Sequence, residues 1–282
     1  MSADPRTPLS PRQLAAALGA SESSVKRWID GGAIRAERTP GGHRRIPLQE
    51  AVRFVRASNL HVASPDALGL RAAPRERAAS WDPEWLLDPD DATVESLLKA
   101  WYLDGRDVAW IADGPVRQGL ARAAERWREG PGEVAREHAA TMTLLHGLAA
   151  LGSLMPAPGP QRAIGAAPAG DPYILPTLLC GLALQSIGLR VRNLGPDTPA
   201  AALVSLLDAP GAPPPALVWL SCSALPNRGT AAYLEEVAAA CAPRGIPLAV
   251  GGRSRPAALP RGCVATDGLE SLTALALSRR GA

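Results

Sequence analysis

Apolar positions change their spacing twice along the chain. Over the last third, short apolar runs alternate with helical ones. The runs predict strands at Arg162–Ala166, Arg190–Leu194, Ala216–Leu220, Pro247–Val250 and Cys263–Thr266, with helices at Ile174–Ile187, Pro199–Leu207, Thr230–Cys241 and Leu269–Leu277. Strand–helix repetition of this length predicts a parallel, doubly wound sheet, with any ligand at the carboxyl ends of its strands. Upstream, from about Trp81 to Leu154, the period is helical throughout. Asp90 and Asp91 can cap a helix through Leu103 whose apolar stripe is Val94, Leu97, Leu98 and Trp101. Val116–Arg128 continues the pattern, and Pro131 opens a long helix to about Leu151, so a small antiparallel bundle is expected.

The first block ends near Arg56 and carries a different pattern. Ser10 and Pro11 supply a cap and a first-turn proline for a helix that turns Leu14 and Leu18 inward. Gly19 permits a turn, and Ser21 caps a second helix through Val25 and Trp28 to Ile29. Two short helices around a glycine turn match a helix-turn-helix. The second would expose Ser23, Ser24, Lys26 and Arg27 to phosphates and base edges. In Arg38-Thr39-Pro40-Gly41-Gly42-His43-Arg44-Arg45, the Pro-Gly-Gly centre allows a tight basic hairpin, a wing for the sugar-phosphate backbone of double-stranded DNA.

Charge supports that assignment. Residues 1–56 hold ten Lys and Arg against five Asp and Glu, while the whole chain carries +3, so the remainder is net acidic. At 282 residues, two or three modules are expected: a head at 1–57, a polar linker at 58–79 containing Pro65 and Pro74, a helical block at 80–156 and an α/β block at 162–282. Five of the seven Trp fall within 81–127, which suits either a special chemistry or plain packing. No apolar run is long enough for a bilayer and no signal segment opens the chain. Four Cys without metal-ligand spacing argue for a reducing cytoplasm.

The Thr39–Arg45 wing resembles the MerR family over residues 9–56, which implies a dimer reading two half-sites. Trp127, nine residues and then Glu137-His138 resemble the helical cap of the CarH/LitR cobalamin photoreceptors, MerR-headed repressors ordered as winged helix, four-helix bundle and Rossmann-like cobalamin domain. That resemblance covers nearly the whole chain. It implies a light-responsive repressor, a homo-oligomer that separates on illumination, and adenosylcobalamin in a cleft between bundle and α/β domain. Trp127, Glu137 and His138 would then contact the upper, adenosyl side, and the cleft floor would include Asp171, Ser221, Cys222, Ser223, Leu225, Gly251 and Gly252.

Two positions depart from the family pattern. Tyr173 stands where the cobalt-ligating His belongs, with Pro176 in place of a Gly, and Arg128 replaces the His that follows the family's Trp. A neutral phenol is a poor cobalt ligand. Three ligands therefore stay open: cobalamin without a protein ligand below the metal, haem held through Tyr173 or His138, or a bilin attached at Cys180 or Cys222, with Arg128 available to propionates or phosphate. A different reading makes the α/β domain a degenerate scaffold for oligomerisation or for a protein antirepressor. No nucleophile–base constellation points to an enzyme.

Overall fold

Serine caps start both helices of the head. In the computed structural model, which describes residues 8–73, 75–86, 90–126, 130–208, 213–226 and 229–279, α1 spans Pro11–Leu18 and α2 spans Glu22–Asp30. The Ser10 hydroxyl accepts from the Gln13 amide (3.3 Å) and the Gln13 side chain accepts from the Ser10 amide (2.9 Å), a reciprocal cap. Gly19 turns the chain at a φ of 61°. Strands β1 (Glu37–Arg38) and β2 (Arg44–Arg45) pair antiparallel as the wing. Helix α3 (Leu48–Ala57) follows and buries Val52, Phe54 and Val55, with the Phe54 ring 5.0 Å from that of Trp28 in α2.

The stretch expected to be a loose linker is packed instead. Val62, Leu68 and Leu70 are buried, the Ser64 amide donates to the Ala17 carbonyl (3.1 Å), and the Ala73 amide donates to Ser96 (2.9 Å). Apolar side chains inside a turn-rich segment gave it a core to join; Pro74 lies outside the described residues. Helix α4 (Arg75–Ala79) then leads to α5 (Asp91–Leu103), capped by Asp90. Arg56, at the end of α3, donates to the carbonyls of Tyr102 and Arg106, and its guanidinium lies 3.8 Å from the Tyr102 ring centre. The head and the helices behind it thus form one compact unit, Met1–Asp107 with Gly114–Pro156.

Helix α6 (Val108–Ile111) breaks the expected continuity of residues 80–156. With Ala112 and Asp113 it belongs to the second unit, Val108–Asp113 with Ala157–Ala282. Val108 and Ile111 are fully buried there, and a π-turn at Ala112–Val116 containing Pro115 delays the next helix. Helix α7 (Arg117–Glu125) and α8 (Pro131–Gly152) complete the first unit. Gly147 of α8 meets α5 so closely that a Cβ would fall 2.9 Å from both Leu98 and Val94. The tryptophans pack: Trp81 and Trp85 meet Trp101 edge-on at 6.2 and 5.4 Å, and the Trp101 indole donates to Ala78 (2.8 Å).

The second unit follows the predicted strand–helix repeat. It comprises β3 (Arg162–Ala166), α9 (Ile174–Ser186), β4 (Arg190–Asn193), α10 (Ala200–Val204), β5 (Leu217–Ser221), α11 (Thr230–Cys241), β6 (Leu248–Gly251), β7 (Cys263–Ala265) and α12 (Leu269–Ser278). Among the described residues the sheet is five-stranded and wholly parallel, in the order β4-β3-β5-β6-β7. Alternation along β5 feeds two cores: Leu217 and Trp219 face one side, Val218 and Leu220 the other. Trp219 lies across Gly165, where a Cβ would sit 2.0 Å from its ring. The Asp113 carboxylate caps α12, accepting from the Leu269 amide (2.7 Å).

Candidate functional site

Two surfaces collect the residues that the sequence singled out. The first is the outer side of the head, where α1, α2 and the wing border a groove of about 510 Å³. Arg38, His43, Arg44 and Arg45 of the wing and Lys26 of α2 line it. Arg12, the second residue of α1, lines it too and was missed, although its place beside the Ser10 cap was a usable signal. Ser23, Lys26 and Arg27 are exposed. Lys26 pairs with Glu22 at 2.8 Å, a solvent-screened contact that a phosphate can displace. Thr39 serves the turn itself, its hydroxyl accepting from the His43 amide (3.1 Å). Ser24 bonds the Ser21 hydroxyl (2.9 Å), and Arg44 pairs with Asp30 at 2.7 Å. Ser23 likewise bonds the Ser21 hydroxyl (2.8 Å) and Arg27 donates to the Ser24 hydroxyl (3.3 Å), so these positions also have partners within the head.

On α8, Glu137 is half-buried and accepts from the Thr141 hydroxyl (3.3 Å). The neighbouring His138 is 73% exposed, with Nε2 3.8 Å from the Glu137 carboxylate. Trp127 and Arg128 lie outside the described residues.

The second surface is the carboxyl end of the parallel sheet, where the strand order reverses between β3 and β5. Ligands of doubly wound sheets bind in such a crevice. The loop after β3 carries Asp171 and Tyr173, the loop after β5 carries Cys222, Ser223 and Leu225, and Gly251-Gly252 close β6. Asp171 is buried and ties two loops together. Its carboxylate accepts from the amides of Ser223 (2.5 Å), Ala224 (2.9 Å) and Tyr173 (3.1 Å). Tyr173, Ile174 and Leu225 stay exposed at 42, 39 and 86%, although each is large and apolar. The Arg253 guanidinium lies 4.9 Å from the Tyr173 ring centre, and its Nε donates to the Ser223 carbonyl (3.1 Å).

Burial decides what the other groups can do. It pushes the thiols of Cys180 and Cys222 up to about 12, with the carboxylates of Asp113 and Asp171 adding to the shift. Both are therefore neutral thiols near pH 7 in this fold. The glycine pair is used internally as well. A Cβ on Gly252 would lie 2.2 Å from the Cys222 carbonyl oxygen, and one on Gly251 would lie 2.5 Å from the Thr266 hydroxyl. By contrast, the Ser221 hydroxyl at the end of β5 is buried without a hydrogen-bond partner among the described residues.

These residues fit part of a tetrapyrrole site. An exposed apolar platform suits a flat macrocycle, and an orphaned buried hydroxyl suits one of its polar arms. No imidazole of this unit can serve as an axial metal ligand: the chain's four His are at 43, 61, 138 and 146, all in the first unit. Among the described residues, no group of three or more His, Cys, Asp or Glu could hold a metal ion.

Residues 8–57 match the helix-turn-helix domain model. The HTH-type transcriptional repressor CarA of Myxococcus xanthus is 31% identical over 261 residues, spanning 86% of this chain and 85% of that protein. The chain belongs to the CarA family. A CarA-family protein with this head is a transcriptional regulator rather than an enzyme. The monomethylamine corrinoid protein of Methanosarcina barkeri matches with a TM-score of 0.51 at 15% identity, over 70% of this chain and 95% of that one. At that identity the likeness of the CarA-family chain to the corrinoid protein is one of fold. No helix among the described residues is long and apolar enough to cross a membrane.

Proposed function

We propose that this CarA-family protein is an operator-binding repressor controlled by a tetrapyrrole resting on the carboxyl end of the α/β sheet, and that light acts through this ligand. One observation carries the reading: Tyr173, Ile174 and Leu225 stand exposed around the topological switch, where the buried Ser221 hydroxyl at the end of β5 has no hydrogen-bond partner among the described residues. A bound tetrapyrrole would supply strong visible absorption. The chain itself supplies an apolar floor, a rigid loop pair held by Asp171, and a DNA face on the head. In this reading Lys26, Arg27, Arg38, His43 and Arg45 are the operator contacts. A homo-oligomer binds two half-sites, because one head covers too little DNA for specific affinity.

Visible spectroscopy of the full chain with cobalamin, haem or biliverdin added in turn tests ligand binding. A stoichiometric complex with one of them is expected, and its operator mobility shift should differ between dark and light. Absence of any complex would remove the tetrapyrrole from the reading. The glycine pair used within the protein and the absence of any His from the α/β unit's sequence favour a second reading, in which that unit is a scaffold without a small ligand. That reading predicts operator binding indifferent to all three ligands and to light.

A further inference from the structure

We infer that Arg253 is a carboxylate clamp, and that the ligand of this mouth is a tetrapyrrole bearing free propionate groups. The inference rests on the tetrapyrrole reading above and narrows its chemistry. Arg253 follows the Gly251-Gly252 pair directly, at the rim of the apolar platform. Two contacts hold its guanidinium in place: the Nε–H bond to the Ser223 carbonyl (3.1 Å) and the Tyr173 ring at 4.9 Å. Neither uses the two terminal nitrogens, which have no hydrogen-bond partner among the described residues.

The neighbouring charges do not neutralise it. Asp171 is buried and committed to three amides. Asp197 accepts from the Gly170 amide (2.7 Å), and Arg255, the other cation of this loop, already pairs with Asp267 at 3.0 Å. What remains is a positioned fork of N–H donors beside a flat apolar surface. A guanidinium fork binds a carboxylate through two parallel hydrogen bonds, and a neutral amide or ester forfeits the ionic part of that attraction. The complement of the mouth is therefore an apolar ring system with an anionic arm. Propionate-bearing tetrapyrroles carry a carboxylate on the ring's own arms, whereas the arms around a corrin ring are amides and its anion is the single-charged phosphodiester of the nucleotide tail, which offers no carboxylate to the fork.

The test compares biliverdin with its dimethyl ester and with hydroxocobalamin, each titrated into the full chain and followed by visible absorbance. The free acid should bind at least about tenfold more tightly than the ester. Arg253→Gln should remove that preference by weakening only the free acid, and Arg253→Lys should restore part of it. Equal affinity for acid and ester, an equal loss of both in Arg253→Gln, or tighter binding of hydroxocobalamin would overturn the clamp. A chain that binds none of the three overturns the tetrapyrrole reading itself, a result distinct from binding without acid preference.

Discussion

Two glycines show how differently the two surfaces are built. In the wing, Gly42 turns the chain at a φ of 76°, and nothing lies within 4 Å of where a Cβ would sit. At the sheet mouth, Gly252 has a φ of 105°, and a Cβ there would be forced to 2.2 Å from the Cys222 carbonyl oxygen. The head uses glycine to free a turn and leaves its charged side chains to water. The mouth uses glycine to bring two loops into contact, and its exposed groups are those left over from that packing. Substitution separates the two directly. Gly42→Ala should cost about 1 kcal/mol, the strain of a positive φ alone, whereas Gly252→Ala should cost about 3 kcal/mol or more. Urea unfolding of both full-length variants measures this, and similar losses would erase the contrast.

The next largest effect concerns how the head is mounted. Arg56 spends its buried guanidinium on the carbonyls of Tyr102 and Arg106 and on the Tyr102 ring. Burial lowers its pKa from the usual value, but a guanidinium remains charged near neutrality. Arg56→Ala should therefore destabilise the first unit by about 2 kcal/mol, the worth of charge-assisted bonds lost together. It should also increase amide hydrogen exchange in residues 58–73 at constant pH. Unchanged exchange would mean that the connector is held by its apolar residues, Val62, Leu68 and Leu70, without help from Arg56.

Much of this architecture was legible because it rests on local rules. The caps at Ser10, Ser21 and Asp90 fell where the sequence placed them, and Thr230–Cys241 matched to the residue. Period-2 and period-3.6 spacing depend only on which side of an element faces the core. The connector and the Val108–Asp113 segment were misread because their outcome depends on distant partners. Ala17 and Ser96 hold the connector, and the N-terminus of α12 takes up Asp113. The candidate sites divide in the same way. The family resemblance pointed to Asp171, Ser221 and Gly252, but not that the acid and the glycine would be consumed by packing while the serine found no partner among the described residues. Arg253 carries no motif; only the fold brings it to Tyr173.

A finer comparison lies within the head. Arg27 is exposed on α2, whereas Arg44 is already matched by Asp30 at 2.7 Å. Arg27→Ala should weaken operator binding about tenfold and reduce the slope of log affinity against log salt by about 1. Arg44→Ala should leave that slope unchanged, because a charge held by a carboxylate releases no counterion from DNA. Fluorescence anisotropy across a salt series distinguishes them, and equal slopes for the two variants would show that Asp30 yields Arg44 to the phosphate.

The smallest expected effect contrasts the surfaces through pH. Burial works to raise the Glu50 carboxyl, but the Arg53 side chain and the Arg35 amide outweigh it and hold it below its ordinary 4.5. A depressed acid stabilises the fold above the unfolded-state value and loses that contribution as pH falls through the folded-state value. Glu50→Gln should accordingly cost less than about 1 kcal/mol near neutrality, since the Glu50–Arg53 pair is partly open to solvent. The gap from the parent should begin to close near pH 4.5 and vanish as acidification continues. Cys222 at the mouth behaves oppositely, since burial pushes its thiol up to about 12 and keeps it uncharged across the same range. Cys222→Ala should then shift stability by a constant amount from pH 4 to pH 8. A pH-dependent difference for Cys222→Ala, with none for Glu50→Gln, would reverse the assignment of charge to the head and of neutral packing to the mouth.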